Sequence, residues 1–141
     1  MLHSHIRSLP KVELHCHLEG ILDWRLAAKL QRESTGFPLE PLRLRALRPV
    51  VGRHRFAEWF RYVGMLKDNF NWFNPILSSH IASLIDQNVR YSEIMVGAGL
   101  LSRDAPEAIE QLHALRAWSA AASGDNIQVA FLIAIGRNRT I

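Results

Sequence analysis

Short apolar runs alternate with longer amphipathic stretches along the chain. Val12 to His17 reads as a strand entered from Pro10. Leu22, Leu26, Ala27 and Leu30 recur at helical spacing, which predicts a helix from Asp23 to about Arg32. Gly36, Pro38 and Pro41 then break the chain, and an arginine-rich loop or short helix follows. Phe56 to Lys67 carries Phe56, Phe60, Val63 and Leu66 on one helical face, and Pro75 to Asn88 does the same with Ile76, Leu77, His80, Ile81, Leu84 and Ile85. Val89 to Val96 has strand character and ends in Gly97-Ala98-Gly99. Asp104-Ala105-Pro106-Glu107 spells a capping box, with proline inside the first turn, and predicts a helix that Gly124-Asp125 stops at about Ser123. Ile127 to Ile135 is a nearly continuous apolar run, the pattern of a strand buried on both faces.

Strand and helix in alternation is the grammar of an α/β fold with a parallel sheet and crossover helices. A length of 141 residues suits a single domain spanning 1–141. The chain stops at Ile141, six residues after the third strand, where a covering helix is due.

Composition narrows the class without naming a function. Hydrophobic residues make up 48% and charged residues 21%, too apolar for a disordered chain. No apolar run is long enough to span a membrane, and the first ten residues lack the apolar core of a secretory signal. The single cysteine, Cys16, rules out an internal disulfide and fits a reducing, cytoplasmic setting. The net charge of +4 owes much to Arg43, Arg45, Arg48, Arg53 and Arg55, a stretch without acidic residues. Such a cluster can contact phosphates, but no aromatic residue interleaves with it, so it is read as a solvated connecting segment and no nucleic-acid partner is expected.

His15-Cys16-His17 closes the first strand. Alternate side chains of a strand share a face, so the two imidazoles point one way and Cys16 the other, as a buried thiol. Two imidazoles at this spacing can grip one zinc ion, although a bare H-x-H also arises by chance on half-buried strands. The flanks add to it. Leu9-Pro10-Lys11-Val12-Glu13-Leu14-His15-Cys16-His17-Leu18-Glu19-Gly20 closely resembles the opening of the adenosine/adenine deaminase family, written P-K-x-E-L-H-x-H-L-(D/E)-G. Phe56-Ala57-Glu58-Trp59-Phe60 is similar to that family's F-x-x-x-F helix, and Val89-Arg90-Tyr91-Ser92-Glu93-Ile94 to its second strand. Val129 to Arg137 is similar to its third. The resemblance runs the length of the chain in order and is specific at the first motif.

The resemblance implies the amino-terminal part, about three β/α units, of a (β/α)8 barrel with one catalytic zinc. His15 and His17 would be two of its ligands. His17 and Glu19 would meet the substrate's sugar or its equivalent, with Phe56 and Phe60 near the base. The activity implied is hydrolytic deamination of a 6-aminopurine: zinc acidifies a bound water, which attacks the ring carbon bearing the amino group. In the family a third histidine, an aspartate and the groups that move protons come much later. A barrel takes ~250 residues, and neither the H-A-G-E nor the S-x-N-T-D-D pattern occurs around His3, His5, His54, His80 or His113. No catalytic acid or base is therefore assigned within this chain, which is expected to be inactive alone. Glu19 stands where adenosine-specific members carry Asp, which points toward free adenine or a modified purine nucleoside. Met95-Val96-Gly97 departs from the family's usual arginine at the end of the second strand.

Two other readings stay open. His15-Cys16-His17-Leu18 also resembles the opening of TatD-like nucleases, which use two metals on phosphodiesters, although Glu13-Leu14 stands where those carry an Asp. A truncated barrel that binds a partner or self-associates through its open sheet edge is the other.

Overall fold

A computed structural model of the chain describes residues 2–21, 24–35 and 69–135. It divides into two compact units, Met1–Ile21 with Phe73–Ile141, and Leu22–Trp72. Within the first unit lie α1 (Leu2–Ser8), β1 (Lys11–His17), a 3-10 turn (Leu18–Ile21), α3 (Phe73–Asp86), β2 (Val89–Gly97), α4 (Ala105–Ser123) and β3 (Gln128–Ala134). The second contains α2 (Trp24–Thr35), with a Lys29–Glu33 ion pair one turn apart, and a short 3-10 turn, Phe70–Trp72. The helix expected over Phe56 to Lys67 and the arginine cluster from Arg43 to Arg55 lie outside the described residues.

The three strands form one parallel sheet in the order β1-β2-β3. The class is mixed α/β, as the alternation of patterns predicts. α3 and α4 pack on each other, α3 on β2 and α4 on β3. The core forms where the apolar face of α3 (Phe73, Ile76, Leu77, Ile81, Leu84) and the buried side of β2 (Ile94, Val96) exclude water, joined by Leu18, Leu101, Leu115 and Ile127. Among the described residues no helix is long and apolar enough to cross a membrane.

The ends of α4 follow from local chemistry. The Asp104 carboxylate accepts the Glu107 N–H at 3.0 Å, and Pro106 occupies the first turn. The reciprocal half of the capping box is relayed: Ser102 Oγ accepts the Asp104 N–H at 3.2 Å and donates to the Glu107 carboxylate. Gly124 ends the helix at φ 48°, ψ −138°, a conformation that side chains disfavour, and its N–H reaches the Ala120 carbonyl. Asp104→Ala is expected to cost about 1 kcal/mol, read as a lower urea midpoint with an unchanged slope. An unchanged midpoint would contradict this account of the cap.

Two findings depart from the sequence reading. The seven-residue α1 is not among the elements the pattern predicts: Leu2–Ser8 offers only Leu2 and Ile6 at helical spacing. It is held by its surroundings. The Lys11 ammonium donates to the carbonyls of Ile6, Arg7 and Leu9 at 2.7–3.1 Å, where the helix dipole favours a cation. Arg7 pairs with Asp86, and Asn88, in the left-handed conformation at φ 59°, donates its side-chain amide to the Ser8 carbonyl. The second departure is β3, expected to be buried on both faces. Leu132, Ile133 and Ile135 are 39%, 47% and 61% exposed, because β3 is an edge strand and α4 is the helix that packs on it among the described residues.

Candidate functional site

β1 and β2 are not in simple register. Glu13 pairs with Ser92 and Cys16 with Ile94, so β1 advances three residues while β2 advances two. The extra residue is a bulge at Leu14-His15, and bulges of this kind re-aim side chains next to sites. Residues aligned in parallel strands point to the same side, so Glu13 and Cys16 share the helix-covered side with buried Ser92 and Ile94. His17 lies opposite, level with Met95.

The expected juxtaposition of His15 and His17 is present. Their ring centroids are 5.2 Å apart with the planes at 64°. Two imidazoles bound to one tetrahedral zinc at about 2.0–2.1 Å place their ring centroids roughly 5 Å apart, so the donor type and spacing fit the ion. Both residues are exposed rather than sealed in the core. Among the described residues no third histidine, cysteine or carboxylate joins them in a cluster able to hold a metal.

Glu19 is brought to the same end of the sheet. Leu18, fully buried, pins the 3-10 turn against α3 and β2, and the turn carries the Glu19 side chain over the end of β2. Glu19 Oε1 lies 3.6 Å from His17 Nδ1, and at the same distance from the place a Cβ on Gly97 would occupy. The residue is 5% exposed, and Oε2 has no hydrogen-bond partner. The other buried polar atoms in that condition among the described residues are the hydroxyls of Ser92 and Ser123. A buried carboxylate oxygen without a donor is costly, so this one is suited to a ligand that brings a donor. The pair Tyr91 and Glu93 is closed on itself, the Tyr91 hydroxyl donating to Glu93 Oε1 at 2.9 Å.

Cys16 packs away from the imidazole pair, its Sγ 3.6 Å from His80 Nε2. His80, which its spacing puts on the apolar side of α3, is half-buried beneath β1, and burial lowers its pKa. Burial, with Glu13 and Glu19 nearby, pushes the Cys16 thiol up to about 11. The neutral thiol is neither a nucleophile nor a zinc ligand near neutral pH. Because the folded protein holds this proton more tightly than the unfolded chain, the thiol's contribution to stability is present below pH 9.0 and lost as the pH rises toward about 11. Alkylation by iodoacetamide at pH ~8 is accordingly expected to run at least ~100-fold slower than on the unfolded chain and to climb steeply with pH. Equal rates would overturn the assignment. Phe56 and Phe60, expected near the base, lie outside the described residues. Sequence reasoning missed the bulge and the position of Gly97 beneath the Glu19 carboxylate; neither leaves a mark in the pattern of residue types.

Comparison with protein-family models and with curated protein sequences finds no match. Solved structures do match. An Arabidopsis ADAL complexed with IMP aligns over 97% of this chain at a TM-score of 0.75 and 20% identity. The apo N6-methyl-AMP deaminase from Arabidopsis thaliana aligns over 97% at 0.71 and 20% identity. An amidohydrolase from Burkholderia ambifaria with bound Zn aligns over 92% at 0.66 and 20% identity. The chain spans 44%, 43% and 36% of those three proteins. In fold, the chain is thus similar to part of the adenosine-deaminase-like enzymes, the resemblance that the run from Pro10 to Gly20 carries.

Proposed function

We propose that this chain is the amino-terminal portion of a (β/α)8 amidohydrolase barrel and that the complete protein deaminates a 6-aminopurine by zinc-dependent hydrolysis. The observation that carries this reading is the imidazole pair at the carboxyl end of β1, with a buried, unsatisfied carboxylate beside it. In α/β barrels that end of the strands is where active sites are built. His15 and His17 hold one zinc ion from this chain's side, and its remaining donors come from other parts of the complete protein. Zinc at such a site supplies the acidification of water that hydrolytic deamination needs.

The chain's own residues bind and orient. Glu19 offers Oε2 to a hydroxyl or amine of the substrate and is held in place by the buried Leu18. Phe56 and Phe60 are assigned to the base by the family resemblance alone. The groups that protonate the ring and take the water's proton lie elsewhere in the complete protein, so this chain alone is inactive. Glu19, one methylene longer than the aspartate of adenosine-specific members, favours a substrate other than adenosine; such a difference is worth about 1–3 kcal/mol of discrimination. Neighbours in fold that bind IMP or act on N6-methyl-AMP support a purine nucleotide or nucleoside in that role. They and the Pro10-Lys11 lead-in favour deamination over phosphodiester cleavage. The cytoplasm is the proposed location. The exposed Leu132, Ile133 and Ile135 on β3 are the surface that a further β/α unit, or a second chain, would cover.

The test is release of ammonia from adenine, adenosine, AMP and N6-methyl-AMP by the complete protein and by the 141-residue chain. Turnover of at least one by the complete protein and none by the chain is expected. Steady turnover by the chain alone, or DNA hydrolysis in place of deamination by the complete protein, would overturn the reading.

A further inference from the structure

The geometry points to a second task for Glu19: we propose that it is a positioning residue for the metal site, fixing the tautomer and ring orientation of His17. The inference rests on the reading of His15 and His17 as zinc ligands. A neutral imidazole has one N–H and one lone pair, and a ligating histidine commonly donates its free N–H to a carboxylate or carbonyl. In this chain Nδ1 is the nitrogen that faces Glu19 Oε1, at 3.6 Å, which leaves Nε2 as the nitrogen directed away from the carboxylate. The separation is a few tenths of an ångström too long for a hydrogen bond, and the proposed arrangement requires a small ring rotation to close it.

The two ends of this contact differ in burial. The His17 side chain is 44% exposed, and the Glu19 side chain only 7%. Leu18, at 0% exposure, anchors the turn from beneath. A buried acceptor, packed on every side, beside an exposed ring with room to turn biases the ring rather than being moved by it. The carboxylate then divides its work. Oε1 takes the Nδ1–H of His17, and Oε2, with no partner of its own, is left for the substrate. One consequence separates this arrangement from the sequence expectation. With Nδ1 committed to Glu19 and Nε2 to the metal, His17 has no nitrogen left for the substrate, and Glu19 alone meets the sugar or its equivalent.

The experiment uses the full chain, 15N-labelled and stripped of metal, with long-range proton–nitrogen correlation spectra of the histidine rings at pH ~8, where imidazole is neutral. Wild-type His17 is expected in the Nδ1–H form. Glu19→Gln keeps an acceptor in place and retains that form, whereas Glu19→Met keeps the bulk, loses the acceptor and lets His17 revert to the Nε2–H form. Zinc affinity of the complete protein, measured by competition with a chromophoric chelator, is expected to fall ~10–100-fold in Glu19→Met and to be largely restored in Glu19→Gln. An Nε2–H ring in the wild type overturns the proposal even if Glu19→Met fails to fold. So does a Glu19→Met variant with unchanged tautomer and zinc affinity. A complete protein that binds no zinc while the His17 tautomer still follows Glu19 upholds the positioning and instead strikes the metal assignment, so the two failures are told apart.

Discussion

His15→Ala is expected to abolish deamination by the complete protein and to remove most of its bound zinc. The reason is donor number. Among the described residues two imidazoles come together at the site, and their 5.2 Å centroid spacing fits a shared ion. A zinc centre of this type keeps three or four protein ligands, and removing one takes away a bond to the metal itself. The loss should therefore exceed the ~10–100-fold that follows removal of an outer partner. His15 is exposed on the bulge of β1, so the substitution leaves the core intact and stability should change by no more than ~0.5 kcal/mol. Metal analysis after dialysis, turnover and a melting curve on the same preparation separate loss of the site from loss of the fold. Retained turnover with stoichiometric zinc would overturn the ligand assignment.

The largest effect on stability is expected at Phe73. Its side chain is fully buried at the first turn of α3, the helix that packs on β2 and on the turn carrying Glu19. Truncating such a ring loses its transfer free energy and leaves a cavity that the surrounding side chains fill only in part. Phe73→Ala should cost about 3–5 kcal/mol, a large share of the roughly 5–15 kcal/mol by which a domain is stable. Urea unfolding should show a lower midpoint with a similar slope. A loss under ~1 kcal/mol would mean that the first turn of α3 is not part of the core.

Where the residue pattern is informative, the signal is local. Asp104, Pro106 and Glu107 fix the start of α4 by hydrogen-bonding rules that operate within four residues, and Gly124 fixes its end through a backbone conformation. The spacing of Ile76, Leu77, Ile81 and Leu84 predicts α3 because one face of that helix is in fact buried. Features set by distant partners are not legible. α1 is held by Lys11, Asp86 and Asn88, and its own seven residues offer only Leu2 and Ile6 at helical spacing. The apolar run of β3 states what the strand prefers to bury, but it cannot say that β3 is an edge. At the site, H-x-H places both imidazoles on one side. The mismatch with β2 that forms the bulge, and the burial of Glu19 against Gly97, are properties of pairing and packing that residue types do not encode.

The imidazole pair on β1 is, on this account, one side of a zinc site completed by later residues of the same barrel. The intact mass of the protein in its natural source tests that claim most directly. The account predicts a mass well above ~28 kDa, that of a barrel of ~250 residues, with the remaining ligands downstream of Ile141. A mass of 16.1 kDa would contradict it, because no third ligand joins the imidazole pair among the described residues.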